Sequence, residues 1–276
     1  MAPAADARPA MPATSSVPVL PAVRSTDALA PARWLRAGLA DLVATRFRGA
    51  VYGLAFVLIG RAILTVYEWT WQYAWSLTAG FFLVGPFLCC GIYWLSRQRA
   101  RGEPVSLAES FTCWRGNPGA IGWIAAILAF VFIVWGRVSA VFFALVSTHD
   151  FTSLERALPR ILSWDNWPYL LAFCAIALAF GTLALAVSAV SMPMLVDRRA
   201  DTLTALITSV RAFWANKLAL AFWGLLVVVL IGPSLAFGLY GLLLTAPLVG
   251  HATWHAYVEL VVADDAPGES ALPAAP

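Results

Sequence analysis

Lysine occurs once in this 276-residue sequence, at position 217, histidine three times and cysteine four times. With a formal net charge of only +3 and no lysine-rich run, the basic residues report orientation rather than a nucleic-acid surface, and nucleic acid is excluded as a partner. Cys89, Cys90, Cys113 and Cys174 form neither a CxxC pair nor a dense disulfide framework, so they read as apolar helix-filling residues. No GxxxxGK[ST], HExxH or GxSxG is present, and no spacing ties serine, histidine and acid into a nucleophile set. The reading is therefore non-enzymatic. Charged residues are also scarce, 12% against 61% hydrophobic, with a mean hydropathy of +0.78. That balance does not suit a soluble surface.

What the sequence has instead is long uncharged runs. A helix needs about 20 apolar residues to cross a hydrocarbon core of roughly 30 Å, and these runs are too long for barrel strands. Residues 49–67, broken only by Arg61, and 73–95 make one hairpin, with EWTWQ as a tight turn carrying interfacial tryptophans. Residues 118–147, broken only by Arg137, and 168–196 make a second, joined by THDFTSLERALPRILSWDNW. From Leu218 to Val258 run 41 residues without a carboxylate, lysine or arginine, about 62 Å as one helix, so this segment crosses twice. Gly232-Pro233-Ser234 is the best turn within it, giving spans at 214–231 and 234–258, with Gly238 to Gly241 as the alternative boundary.

The expected fold is all-α, a polytopic bundle of six spans over residues 31–262. Residues 1–30 and 263–276, rich in alanine and proline, read as disordered tails. Twelve basic residues flank one side of the spans (Arg33, Arg36, Arg46, Arg48; Arg97, Arg99, Arg101, Arg115; Arg198, Arg199, Arg211, Lys217), against Arg156 and Arg160 on the other. The positive-inside rule then puts both termini in the cytoplasm of a bacterial inner membrane.

An amphipathic stretch precedes each odd span and is expected to lie on the cytoplasmic surface. Leu35, Leu39, Leu42 and Val43 mark the first. Ser106 and Glu109, at capping-box spacing, with Leu107, Phe111 and Trp114 mark the second. Leu203, Leu206, Ile207, Val210 and Trp214 mark the third. Pro86, Pro193 and Pro247 recur in the even spans, which suggests a threefold internal repeat. It would set Cys90, Asp197 and His251, each four residues after a proline, at similar depth.

His251 and His255 stand four residues apart, on one face of the last span, with Cβ atoms about 6 Å apart. Two readings compete. As metal ligands they need a third group, from Asp197, Cys90 or Cys113, and a transition metal is then the one cofactor the sequence offers a place for. As part of an interfacial belt with Trp254 and Tyr257 they need only backbone or water, and this is the preferred reading. Haem needs histidines on facing helices, and His149, the only other one, is expected on the far side. Three histidines are also too few for a respiratory oxidase catalytic subunit. Arg61 and Arg137, the permanent charges inside spans, either line a solute path or snorkel toward outer-side acids; snorkelling is preferred.

SMPMLVDRRADTLTALITSVRAFWANKLALAFWG, TAPLVGHATWHAYVELV and FFLVGPFLCCGIYWLSRQRARGE resemble a family of predicted bacterial integral membrane proteins catalogued as a domain of unknown function. The likeness covers residues 33 to 262, with MPMLVDRR and GHATWHAY its most specific blocks. Where that family reads Tyr-Arg after the second histidine, this chain has Tyr257-Val258. The resemblance implies a multi-span inner-membrane protein without an assigned reaction. The functional expectation is a permease-like or envelope-accessory protein, with a metal-binding or redox-linked one as the alternative. The lipid bilayer is its surroundings, and protein partners and self-association stay open.

Overall fold

The computed structural model describes residues 20–46, 48–69, 71–146 and 167–262. Among them the secondary structure is helical, apart from one isolated antiparallel bridge between Val23 and Val261. The helices are α1 (Ala30–Ala44), α2 (Ala50–Trp69), α3 (Trp71–Ala100), α4 (Leu107–Ser110), a 3-10 turn (Cys113–Gly116), α5 (Pro118–Val146), α6 (Trp167–Ser188), α7 (Ser191–Asp197), α8 (Thr202–Ala215), α9 (Lys217–Ala236) and α10 (Leu242–Leu260). The all-α bundle expected from the sequence is what forms. Among the described residues, three helical segments are long and apolar enough to cross a membrane, Pro118–Phe142, Leu170–Asp197 and Lys217–Leu235, and Ala50–Val66 is a shorter apolar stretch. The long connection expected after span three, with His149, Arg156 and Arg160, lies in 147–166, outside the described residues.

The surface helices sit in the bundle the opposite way from soluble amphipathic helices. In α8 the small and hydroxyl side turns inward, burying Thr204, Ala205, Thr208, Ser209 and Ala212, while Leu203 and Trp214 stay more than half exposed. In α1, Trp34, Gly38, Asp41 and Thr45 are buried at helical spacing, and Leu39 and Val43 project outward. The stripes located in the sequence are thus split, with Leu39, Val43, Leu203 and Trp214 outward and Leu42 buried, while Leu35 and Leu206 pack against the core. Ser106 Oγ accepts the Glu109 amide (3.3 Å) as the spacing predicts, and Asp201 Oδ1 also caps its helix, accepting the Thr204 amide (2.9 Å). Glu109 does not reach back to close the expected box; its carboxylate accepts from Gln98 Nε2 at 2.7 Å instead.

Span four is not continuous. Its helix breaks at Ala189 and Val190 between α6 and α7, because Pro193 has no amide hydrogen and its ring crowds the carbonyl four residues earlier, that of Ala189. The break is repaired from α8: Ser209 Oγ donates to the Ala186 carbonyl (2.7 Å) and accepts from the Val190 amide (3.2 Å). The turn between the last two long helices lies at Gly238 to Gly241, not at Gly232-Pro233-Ser234. Pro233 is absorbed inside α9, and Gly238 takes a φ of +68°, so that the Leu239 amide donates back to the Ser234 carbonyl (3.0 Å). This Schellman closure needs the left-handed residue that glycine supplies.

Residues 20–29, assigned to the N-terminal tail by composition, dock on the bundle. The Arg24 amide donates to the Leu260 carbonyl (2.8 Å), and the Val262 amide donates to that of Ala22 (3.0 Å). Asn216 takes the Thr26 amide on Oδ1 (2.7 Å) and donates Nδ2 to the Arg24 carbonyl (3.0 Å). Polar groups thus fasten this segment where a hydrophobic pattern is missing. Helix α10 is the hub, packed against α1, α2, α3 and α9. Its crossing with α1 is close: a Cβ on Gly38 would come within 2.6 Å of the Ala252 backbone nitrogen.

Candidate functional site

Three helical stripes meet at that crossing. Asp41 comes from α1, Ser96 and Arg99 from α3, and His251 and His255 from α10. Asp41 is the centre, its side chain 1% exposed. Oδ1 receives Arg99 Nη1; Oδ2 receives Ser96 Oγ–H (2.7 Å) and His255 Nε2 (2.9 Å). Burial pushes this carboxyl up, but the hydrogen bonds from His255 and Ser96 outweigh it and hold the group below its ordinary range. Asp41 is therefore a carboxylate at neutral pH.

The protonation pattern follows. A carboxylate only accepts, so the single hydroxyl hydrogen of Ser96 points at Asp41. The second contact of that hydroxyl, 2.7 Å to His251 Nδ1, then has the nitrogen as donor. His251 is the Nδ1–H tautomer, and its Nε2 is a bare lone pair. That atom is fully buried and has no hydrogen-bond partner among the described residues. It faces the start of α2, where a Cβ on Gly49 would lie 2.9 Å from it. At the other end of the chain of donors, the side chains of His255 and Arg99 are 27% and 42% exposed. The cluster thus runs from a closed end at His251 Nε2 to an open end at His255 and Arg99.

The sequence located the two histidines but not their partners. Asp41 is hidden because the leucines are the visible pattern of α1. The signal was present all the same, since Trp34, Gly38, Asp41 and Thr45 recur at helical spacing and include the only carboxylate of the helix. The three third-ligand candidates have other surroundings. Asp197 accepts from Arg97 Nε (3.1 Å), Arg101 Nη2 (2.9 Å) and Tyr257 Oη (2.8 Å). Cys90 is fully buried, close to Cys113, and burial pushes the Cys113 thiol up to about 12, which disfavours a thiolate ligand. Cys90, Asp197 and His251 therefore occupy three different neighbourhoods. No group of three or more His, Cys, Asp or Glu placed to hold a metal ion is found among the described residues. Arg61 and Arg137 are both exposed on the bundle, with Arg61 6.0 Å from the Tyr240 ring centre.

Residues 74–197 match the model of a family described as predicted integral membrane protein (DUF2189). The match takes in the FFLVGPFLCCGIYWLSRQRARGE segment and ends at Asp197, before the GHATWHAY block. No curated protein and no solved structure matches the chain. The apolar helices and this match make it an integral membrane protein.

Proposed function

We propose that this chain is a non-enzymatic, permease-like protein of the bacterial inner membrane, with six spans and both termini in the cytoplasm, that moves protons through the cluster around Asp41. The observation that carries the reading is the donor order His251 Nδ1–H, Ser96 Oγ–H, Asp41 carboxylate, with a bare His251 Nε2 at its buried end. A proton added at Nε2 releases the Nδ1 proton to Ser96 Oγ, and Ser96 passes its own to Asp41 Oδ2. Three bonds form (Nε2–H, a new Ser96 Oγ–H, Asp41 Oδ2–H) and two break (Nδ1–H and the original Oγ–H), so the one proton delivered at Nε2 is matched by one gained on Asp41. The protonated Asp41 is a short-lived state, because Arg99 and His255 favour the carboxylate. Exposed Arg61 and Arg137 fit cations that snorkel toward the membrane surface rather than line the path.

The test is proton uptake into proteoliposomes driven by an imposed membrane potential. The wild-type chain is expected to conduct, Ser96→Ala to lose about a hundredfold, in line with the contribution of a positioned proton-transfer group, and Ser96→Thr to recover it. Equal uptake in wild type and Ser96→Ala overturns the reading, as does the absence of uptake in all three.

A further inference from the structure

Helix α10 turns two acceptors toward α2. His251 is fully buried, and its Nε2 has no hydrogen-bond partner among the described residues. Four residues before it, Pro247 lacks the amide hydrogen that the Leu243 carbonyl would take in an unbroken helix. Both acceptors meet glycine on the other helix. A Cβ on Gly49 would lie 2.9 Å from His251 Nε2 and 3.0 Å from Pro247 Cβ, and one on Gly53 would strike the Leu243 carbonyl oxygen. Further along, a Cβ on Gly60 would lie 2.6 Å from Leu239 Cδ1. Along this face α2 offers backbone rather than interlocking side chains. Glycines of this kind let two helices approach closely in lipid. Close packing explains the glycines but not the unpartnered Nε2 aimed at them, because a buried acceptor without a donor costs free energy unless water reaches it.

We infer that the seam between α2 and α10 is a water gate, closed by Gly49 and opened when α2 slides along α10, through which water reaches His251 Nε2. The inference rests on the proton relay proposed above and names what supplies its buried end. Water suits the seam because both groups are neutral acceptors, to which a water molecule donates while carrying a proton onward. A hydronium ion in the seam gives its proton to Nε2: one O–H bond breaks, the Nε2–H bond forms, and neutral water is left. A metal ion would need a third ligand, and no group of three is found among the described residues. Pro247 eases the opening, since no helix hydrogen bond joins it to the Leu243 carbonyl at this level.

The test uses the full chain in lipid bilayers with nitrogen-15 histidine, and reads magnetisation transferred from water to His251 Nε2. Wild type is expected to show the transfer. Gly49→Ala, whose methyl fills the seam against that nitrogen, is expected to lose it while keeping a protonated Nδ1. Pro247→Ala returns an amide donor to the Leu243 carbonyl and is expected to lower the transfer as well; it decides the question should Gly49→Ala not fold. A dry Nε2 in wild type, or transfer unchanged in the variant measured, overturns the proposal. The two readings fail separately. Ser96-dependent proton uptake with a dry Nε2 removes the gate and keeps the relay, whereas a gated, wet Nε2 without proton uptake keeps the gate and removes the relay.

Discussion

Replacing Asp41 with asparagine removes one charge and almost no volume, and the cluster sets how much this costs. The wild-type carboxylate accepts Arg99 on one oxygen and Ser96 and His255 on the other. An asparagine amide can accept on one side only, so whichever way it turns, its NH2 meets a donor. Hydrogen bonds to a charged group contribute about 1.5–3 kcal/mol each, and breaking a buried ion pair costs about 3–5 kcal/mol. Arg99 is 42% exposed, which screens its share, while Asp41 itself has no such screening at 1% exposure. The expected loss for Asp41→Asn is about 3 kcal/mol, read by reversible unfolding in mixed detergent. The pH dependence has a definite sign. Asp41 is depressed in the folded state, so its contribution is present above the ordinary carboxyl value of 3.8 and is lost as the pH falls through the lower folded value. Wild type and variant should therefore differ at pH 7 and converge below about pH 4. A loss under about 1 kcal/mol at pH 7, or a gap that persists in acid, would refute the argument that a buried, ionised Asp41 holds α1 to α3 and α10.

Three further outcomes follow from the packing. Ser209→Ala strands the Val190 amide and the Ala186 carbonyl at the span-four break, and should cost about 1–3 kcal/mol in the same unfolding assay; an unchanged stability would mean the break is not repaired from α8. Gly38→Ala pushes a methyl against the Ala252 backbone and should lower the melting temperature of the detergent-solubilised protein by several degrees, about the effect of 1–3 kcal/mol of overpacking. Glu259→Gln weakens the acceptor that takes Thr26, Arg33 and Trp34, so trypsin should cut after Arg24 and Arg33 faster than in wild type. Burial pushes the Glu259 carboxyl up, but these donors hold it below its ordinary 4.5, so the clamp is present above that value and lost on acidification through the folded one.

The parts of the fold legible in the sequence were those with a strong one-dimensional signal. Uncharged runs mark the long helices, and Ser106 marks the cap of α4. The errors came where chemistry depends on chain positions far apart. Pro193 was visible as a proline but not as a helix break, because the repair comes from Ser209. Pro233 reads as a turn, whereas the left-handed backbone the turn needs falls at Gly238 and Leu239. At the site, His251 and His255 stood out as rare residues in an apolar helix. Asp41, 214 positions from His255, did not, since nothing in the local pattern of α1 announces its partners. Residues 20–29 hide their order for the same reason: alanine and proline predict disorder, while Asn216 and Glu259 supply the hydrogen bonds.

The central claim is the donor order across Ser96, and the protonation of His251 reports it directly. Nitrogen-15 resonance of selectively labelled histidine, assigned with His251→Gln, separates the two ring nitrogens at pH 7. The account predicts a protonated Nδ1 and an unprotonated Nε2 for His251, and loss of that preference in Ser96→Ala. A protonated Nε2 in the wild-type protein, with Nδ1 accepting from Ser96, would contradict it.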